Sequence, residues 1–95
     1  FIDKNGFLIR LSLSNGKIIW SRKLLEKRKG TKFFDPILVN VNILVTKNDR
    51  IVSIYSPFDG ALVKSKKLKG KVSASPISYK GEVYFPLANG KVQVF

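Results

Sequence analysis

Two stretches of the chain decide its fold: SNGKIIWSRKL at residues 14–24 and FDGALVKSKKL at residues 58–68. Each contains a turn pair, Asn15-Gly16 or Asp59-Gly60, then an apolar run, a basic cluster and a final leucine. Asn-Gly and Asp-Gly tolerate the positive φ angles of tight turns between strands. The second stretch is therefore a copy of the first, and the pattern predicts a repeated unit of β-strands.

The rest of the chain repeats in the same way. DPILVNVNILVTKND, from Asp35, matches SPISYKGEVYFPLANG, from Ser75, while NGFLIRLS from Asn5 matches NDRIVSIY from Asn48 and NGKVQVF from Asn89. Apolar and polar residues alternate within these segments, as expected of strands with one buried face. A period of about 40 to 45 residues is typical of propeller blades with four strands each. We predict an all-β chain, a fragment of a β-propeller with roughly two four-stranded antiparallel blades.

The repeat also predicts the organisation of the chain. Residues 1–34 should hold the end of one blade and a connection, residues 35–68 a complete blade, and residues 69–95 an incomplete next blade. The strands of the complete blade are predicted near Ile37, Ile43, Ile51 and Leu62. LLEKRKG, from Leu24 to Gly30, could form a helical turn, but it is short and highly charged. Because such a piece leaves strand edges exposed, we expect further blades of a parent chain, or other copies, to cover them.

Composition restricts the chemistry that this segment can perform. It contains no cysteine and no histidine, which excludes thiolate nucleophiles, disulfides, imidazole bases and the commonest metal ligands. Only six acidic residues are present, most of them beside turn glycines or prolines, where carboxylates commonly accept backbone hydrogen bonds. No apolar run reaches the roughly 18 to 20 residues of a membrane-spanning helix. We expect no catalytic residue, cofactor or metal ion in this segment.

Several motifs resemble those of the pyrroloquinoline-quinone-like (PQQ-like) repeat propellers. The matching pairs are Asp35-Pro36, Ser75-Pro76, Asn48-Asp49, Asn89-Gly90 and Asn15-Gly16, the last followed by Trp20. The resemblance implies that Trp20 packs between neighbouring blades and that Gly16 and Gly60 belong to the same docking arrangement. The chain departs from the family pattern at Lys64, which takes the place of Trp20 one unit later, and at Ser12, where an aspartate is expected.

The resemblance suggests a non-catalytic function. Some members of the family are periplasmic lipoproteins that support assembly of outer-membrane β-barrel proteins, and KLKGKVSASP at residues 67–76 resembles the loop with which they contact a membrane-embedded assembly subunit. The partner-binding residues implied are Leu68 and Lys69, with Lys66, Lys67 and Lys71 beside them. The alternatives are a segment of a PQQ-dependent dehydrogenase whose active site lies in other blades, and a protein-interaction propeller without an envelope role.

The net charge is +12, and the basic residues form two groups that follow equivalent strands. The first group is Arg22, Lys23, Lys27, Arg28, Lys29 and Lys32, and the second is Lys64, Lys66, Lys67, Lys69 and Lys71. In a propeller they should lie side by side on one rim. Such a rim is either a solvated face or a site for an anionic protein or membrane surface. Nucleic acid is disfavoured, because the aromatic residues fall within or beside strands and are predicted to be core.

Overall fold

The computed structural model describes residues 1–24 and 32–95, which form β-strands joined by turns and short connections. The strands are β1 (Phe7–Leu11), β2 (Ile18–Lys23), β3 (Ile37–Val39), β4 (Asn42–Thr46), β5 (Ile51–Tyr55), β6 (Leu62–Lys67), β7 (Ile77–Tyr79), β8 (Glu82–Pro86) and β9 (Val92–Val94). The predicted all-β class is confirmed. Apart from Leu24, the possible helical turn lies outside the described residues.

The strands form three antiparallel sheets in chain order. These are β1-β2, β3-β4-β5-β6 and β7-β8-β9. Neighbouring strands are joined by tight turns, where Asn40 and Lys80 take positive φ angles of 55° and 49°. Each strand of the middle sheet includes one of the positions at which a strand was predicted: Ile37, Ile43, Ile51 and Leu62.

The two inner strands of the middle sheet, β4 and β5, are buried on both faces. One face of β4 and β5, with Leu44, Val52 and Ile54, packs into a core shared with β7-β8-β9. The other face packs into a core shared with β1-β2, to which Val45 and Tyr55 belong. Because side chains alternate between the two faces of a strand, a strand between two cores is apolar at nearly every position. This explains why IVSIY in β5 is buried from Val52 to Tyr55.

The strand registers refine the alignment of the repeats. Arg10 pairs with Trp20 in the first sheet, and Ile54 pairs with Lys64 in the second, so the predicted equivalence of Trp20 and Lys64 is confirmed. In the same registers Leu8 is equivalent to Val52, whereas the alignment of NGFLIRLS with NDRIVSIY predicts that Leu8 is equivalent to Ile51. Leu8 and Val52 both have almost no exposed surface, which accounts for the structural register.

Candidate interaction surface

Trp20 lies between the first two sheets. It belongs to β2, yet its indole Nε1 donates a hydrogen bond of 2.7 Å to the carbonyl oxygen of Pro57 in the turn between β5 and β6. The Arg10 guanidinium donates to the same oxygen. The ring also packs against the core that contains Leu8 and Tyr55. Trp20 therefore combines apolar burial with a satisfied polar group, which is the usual arrangement of a buried tryptophan.

The two glycines assigned to docking have different surroundings. Both adopt left-handed backbone conformations, with φ of 70° at Gly16 and 74° at Gly60. A Cβ atom on Gly60 would lie 2.7 Å from Trp20 Cε3, whereas a Cβ atom on Gly16 would meet nothing within 4 Å. The structure thus brings Trp20 and Gly60 together, and it leaves Gly16 as an exposed turn residue.

A cation–π contact between neighbouring sheets occurs at two equivalent places, and the sequence did not predict it. The Arg22 guanidinium lies over the ring of Tyr55, 6.0 Å from its centroid, and the Lys66 ammonium lies over the ring of Phe95 at 4.9 Å. Arg22 and Lys66 occupy equivalent positions in the outer strands β2 and β6. Both distances are within the range of cation–π attraction. Lys66 therefore contacts the neighbouring sheet as well as solvent.

The predicted partner-binding loop needs one correction. Leu68 is only 3% exposed and packs in the core between the second and third sheets, so its side chain is not available on the surface. Leu24, its counterpart one unit earlier, is buried in the other core. Lys66, Lys67, Lys69 and Lys71 are all exposed around it. The buried side chain of Leu68 thus anchors the loop to the core, and the lysine side chains are exposed to solvent.

Backbone hydrogen bonds fix this loop against its neighbours. Leu68 N donates to Arg50 O at 2.6 Å, and Val72 N donates to Asp49 O at 3.0 Å. On the other side, Ala88 N donates to Lys71 O at 2.8 Å. The loop therefore lies between the turn that joins β4 to β5 and the turn that joins β8 to β9.

This loop is part of a larger basic surface, which we call the basic end. It comprises the turns at residues 3–6, 47–50 and 88–91, Lys32, and the connection at residues 67–75. Asn48 N donates to Lys32 O at 2.9 Å, which joins Lys32 to the turn at residues 47–50, and Leu24 N donates to Gly6 O at 3.0 Å, which joins the end of β2 to the turn at residues 3–6. The exposed cations of the basic end and of the adjoining end of β2 are Lys4, Lys23, Lys32, Arg50, Lys67, Lys69, Lys71 and Lys91.

The carboxylates at the basic end are engaged locally. Asp3 Oδ1 accepts hydrogen bonds from the backbone N–H groups of Asn5 and Phe7. Asp49 Oδ1 accepts one from Ile51 N, and Asp49 Oδ2 lies 3.4 Å from Lys47 Nζ. The other cations of the basic end have no ion pair within residues 1–24 and 32–95. The surface is consequently rich in uncompensated positive charge.

Two tyrosines have perturbed acidity, neither at the basic end. Burial raises the pKa of Tyr55 above its ordinary value, and the nearby Arg22 charge opposes the shift only in part. The pKa of Tyr84 is raised because its hydroxyl donates a hydrogen bond to Glu82, whose charge also disfavours the phenolate. Both groups are neutral near pH 7, which fits packing and not proton transfer.

Open clefts also lie on the surface that residues 1–24 and 32–95 form. An apolar groove of about 490 Å³ lies between β1 and β3, where Leu11, Trp20 and Ile37 contribute to its walls. A more polar cleft of about 390 Å³ lies between Lys32 and Ser73. Within the described ranges, acidic residues form no group that could hold a metal ion. Residues 1–24 and 32–95 also contain no helix that could span a membrane.

Comparison with known proteins identifies the fold. No family model matches the chain. It is 35% identical over 77 residues to an uncharacterized protein of Archaeoglobus fulgidus, covering 78% of this chain and 25% of that protein. It is also similar to the crystal structure of BamB from Moraxella catarrhalis, with a TM-score of 0.82, 19% identity, and coverage of 98% of this chain and 27% of that chain. The predicted propeller-type fold is confirmed, and the chain spans about a quarter of the length of both proteins.

Proposed function

We propose that this chain contributes blades to a non-catalytic propeller that acts as a protein-interaction scaffold, with the basic end as its docking surface. One observation carries the proposal. The loop at residues 68–72 is fixed by the buried Leu68 and by backbone hydrogen bonds on both sides, yet it exposes Lys69 and Lys71. A loop ordered before binding loses little conformational entropy when a partner docks, which favours its use as a contact.

In its more specific form, the proposal is that the scaffold belongs to the PQQ-like repeat propellers and supports outer-membrane β-barrel assembly, on the periplasmic side of the bacterial outer membrane. The likeness of the fold to BamB supports this form. The proposed partner is an assembly subunit in that membrane. Trp20 and Gly60 would then dock one blade on the next, and Lys66, Lys67, Lys69 and Lys71 would contact the subunit.

Site-directed crosslinking tests the proposal. This segment has no native cysteine, so Lys69→Cys and Lys71→Cys place single thiols on the loop, and Lys17→Cys, in the turn between β1 and β2, is the matched exposed control. The full-length protein would be combined with the purified assembly subunit and a thiol-reactive crosslinker. We expect adducts from positions 69 and 71 and none from position 17.

The crosslinking outcomes distinguish the general proposal, a protein-interaction scaffold, from the specific one, a scaffold for outer-membrane β-barrel assembly. Adducts in cells from positions 69 and 71 with a different envelope protein would keep the scaffold and exclude the outer-membrane assembly role. An absence of protein adducts at both loop positions, in cells and with the purified subunit, would overturn both forms.

A further inference from the structure

We infer that the basic end recognises an acidic segment of a protein partner, and not a membrane or a nucleic acid. This inference rests on the proposed scaffold function and specifies the chemistry of the partner. The cations of the basic end come from separate segments of the chain. Arg50 lies in the turn between β4 and β5, Lys91 in the turn between β8 and β9, and Lys69 and Lys71 in the connection after β6. The backbone hydrogen bonds that fix the loop bring these segments together.

Within residues 1–24 and 32–95, the carboxylates at this end do not neutralise its cations. Asp3 and Asp49 direct carboxylate oxygens to backbone N–H groups, and Asp49 pairs with Lys47, which lies beside it. A surface of like charges with few internal partners favours an incoming chain of carboxylates through a field that salt screens. Lysine ammonium groups on flexible stems can follow irregularly spaced carboxylates, because they do not require the planar bidentate geometry of arginine.

The apolar residues argue against a membrane partner. Peripheral membrane binding commonly combines cations with apolar side chains that enter the lipid interface. In the loop of the basic end, Leu68 and Val72 are buried in the core. The exposed apolar side chains of the turns, Leu13, Val41 and Phe58, lie at the opposite ends of the sheets. The exposed apolar side chains that adjoin the basic end are Ile51 and Val92, which begin β5 and β9, whereas its turns expose no large apolar side chain among the described residues.

The aromatic residues argue against nucleic acid. Single-stranded nucleic acids are bound by cations together with exposed aromatic rings on which bases stack. Phe34, close to the basic end, is 8% exposed and belongs to the core. The strongly exposed rings of Phe58 and Tyr79 lie beside turns at the opposite end, and the exposed ring of Phe1 lines the apolar groove between β1 and β3. The basic end thus supplies charge without a stacking platform in the described part of the chain.

A binding titration with matched charge reversals tests the inference. The probe is a fluorescently labelled peptide rich in glutamate, added to the full-length protein and followed by fluorescence anisotropy at several salt concentrations. The first variant is Lys69→Glu/Lys71→Glu/Lys91→Glu at the basic end. The control, Lys17→Glu/Lys64→Glu/Lys80→Glu, changes the net charge equally at exposed positions elsewhere. Circular dichroism establishes that both variants are folded.

We expect the basic-end variant to bind the peptide roughly tenfold or more weakly than the control variant, because several close charge pairs become repulsive. Binding by the unaltered protein should weaken as salt increases. Equal losses in the two variants would overturn the inference, since they would show a response to net charge alone. Tighter binding to anionic phosphatidylglycerol vesicles or to single-stranded DNA, abolished by the basic-end variant, would also overturn it.

The two proposals fail in different ways. If the crosslinks at positions 69 and 71 form but survive both high salt and the added change Lys91→Glu, the scaffold stands and the acidic-segment inference is wrong. If the acidic peptide binds at the basic end but no protein crosslinks are found, the surface chemistry stands and the scaffold function is wrong.

Discussion

Substitution of Gly60 by alanine should destabilise the protein much more than the same change at Gly16. Both glycines have φ angles near 70°, so each alanine variant carries a left-handed backbone penalty of about 1 to 2 kcal/mol. Only at Gly60 does the new methyl group also overlap the Trp20 ring, 2.7 Å from Cε3 and 3.0 Å from Cδ2 and Cζ3. Overpacking of this kind typically costs about 1 to 3 kcal/mol more. We therefore expect Gly60→Ala to lose about 2 to 5 kcal/mol in total.

Urea unfolding followed by far-ultraviolet circular dichroism measures both variants. The alanine changes are then repeated in a Trp20→Ala background, where the ring that meets the new methyl group is gone. In that background Gly60→Ala should cost no more than Gly16→Ala, so the excess cost is isolated as a coupling between the two positions. If Gly60→Ala and Gly16→Ala cost the same with Trp20 in place, the ring does not pack on Gly60 and the argument for docking at this contact is refuted.

Three further predictions follow from contacts of single side chains. Leu68→Ala should lower the free energy of unfolding by about 2 to 5 kcal/mol because it opens a cavity in the core. Lys69→Ala should change it by less than about 0.5 kcal/mol, because the Lys69 side chain is exposed. Similar losses for both variants in urea titrations would contradict the buried position of Leu68. Lys66→Ala should lower the free energy of unfolding in urea titrations by about 0.5 to 1 kcal/mol, and Lys67→Ala should lower it less. Of these two lysines, Lys66 is the one that lies over an aromatic ring. Since burial raises the folded-state pKa of Tyr55 above 10.0, the unfolded chain loses this proton first, so stability falls as pH rises above about 10; thermal unfolding of Tyr55→Phe should show a smaller decline.

The strands could be predicted because the same pattern occurs more than once. Each copy combines a turn with a run in which apolar and polar residues alternate. These copies predict the all-β class and the positions of the strands in the middle sheet. The sequence did not reveal that β5 is buried on both faces. IVSIY in β5 shows no strict alternation, and a short apolar run of this kind has the same appearance in several settings. The packing of neighbouring sheets on Val52 and Tyr55 decides its environment.

The partner-binding loop at residues 67–76 stays a prediction, but the structure buries one of its predicted contact residues, Leu68. Leu68 is predicted as a contact residue by the resemblance of KLKGKVSASP, residues 67–76, to a loop of the PQQ-like propellers. The repeat contained the opposite signal, because Leu24 occupies the equivalent position beside an equivalent basic cluster. An apolar residue that recurs while its neighbours vary is better explained by burial. Contacts such as Lys66 with Phe95 join residues far apart in sequence, and only the packed sheets bring them together.

The middle sheet, with a core on each face, has a consequence for the order in which the protein opens. Strands β4 and β5 cannot separate without exposing both cores to water, whereas β2 and β9 each adjoin one of the two cores within the described residues. In arrays where each unit contacts only its neighbours, opening begins where the fewest interfaces are lost. Amide hydrogens of β4 and β5 should therefore exchange with solvent last. Among the described strands, β4 and β5 would then be the most resistant to local unfolding.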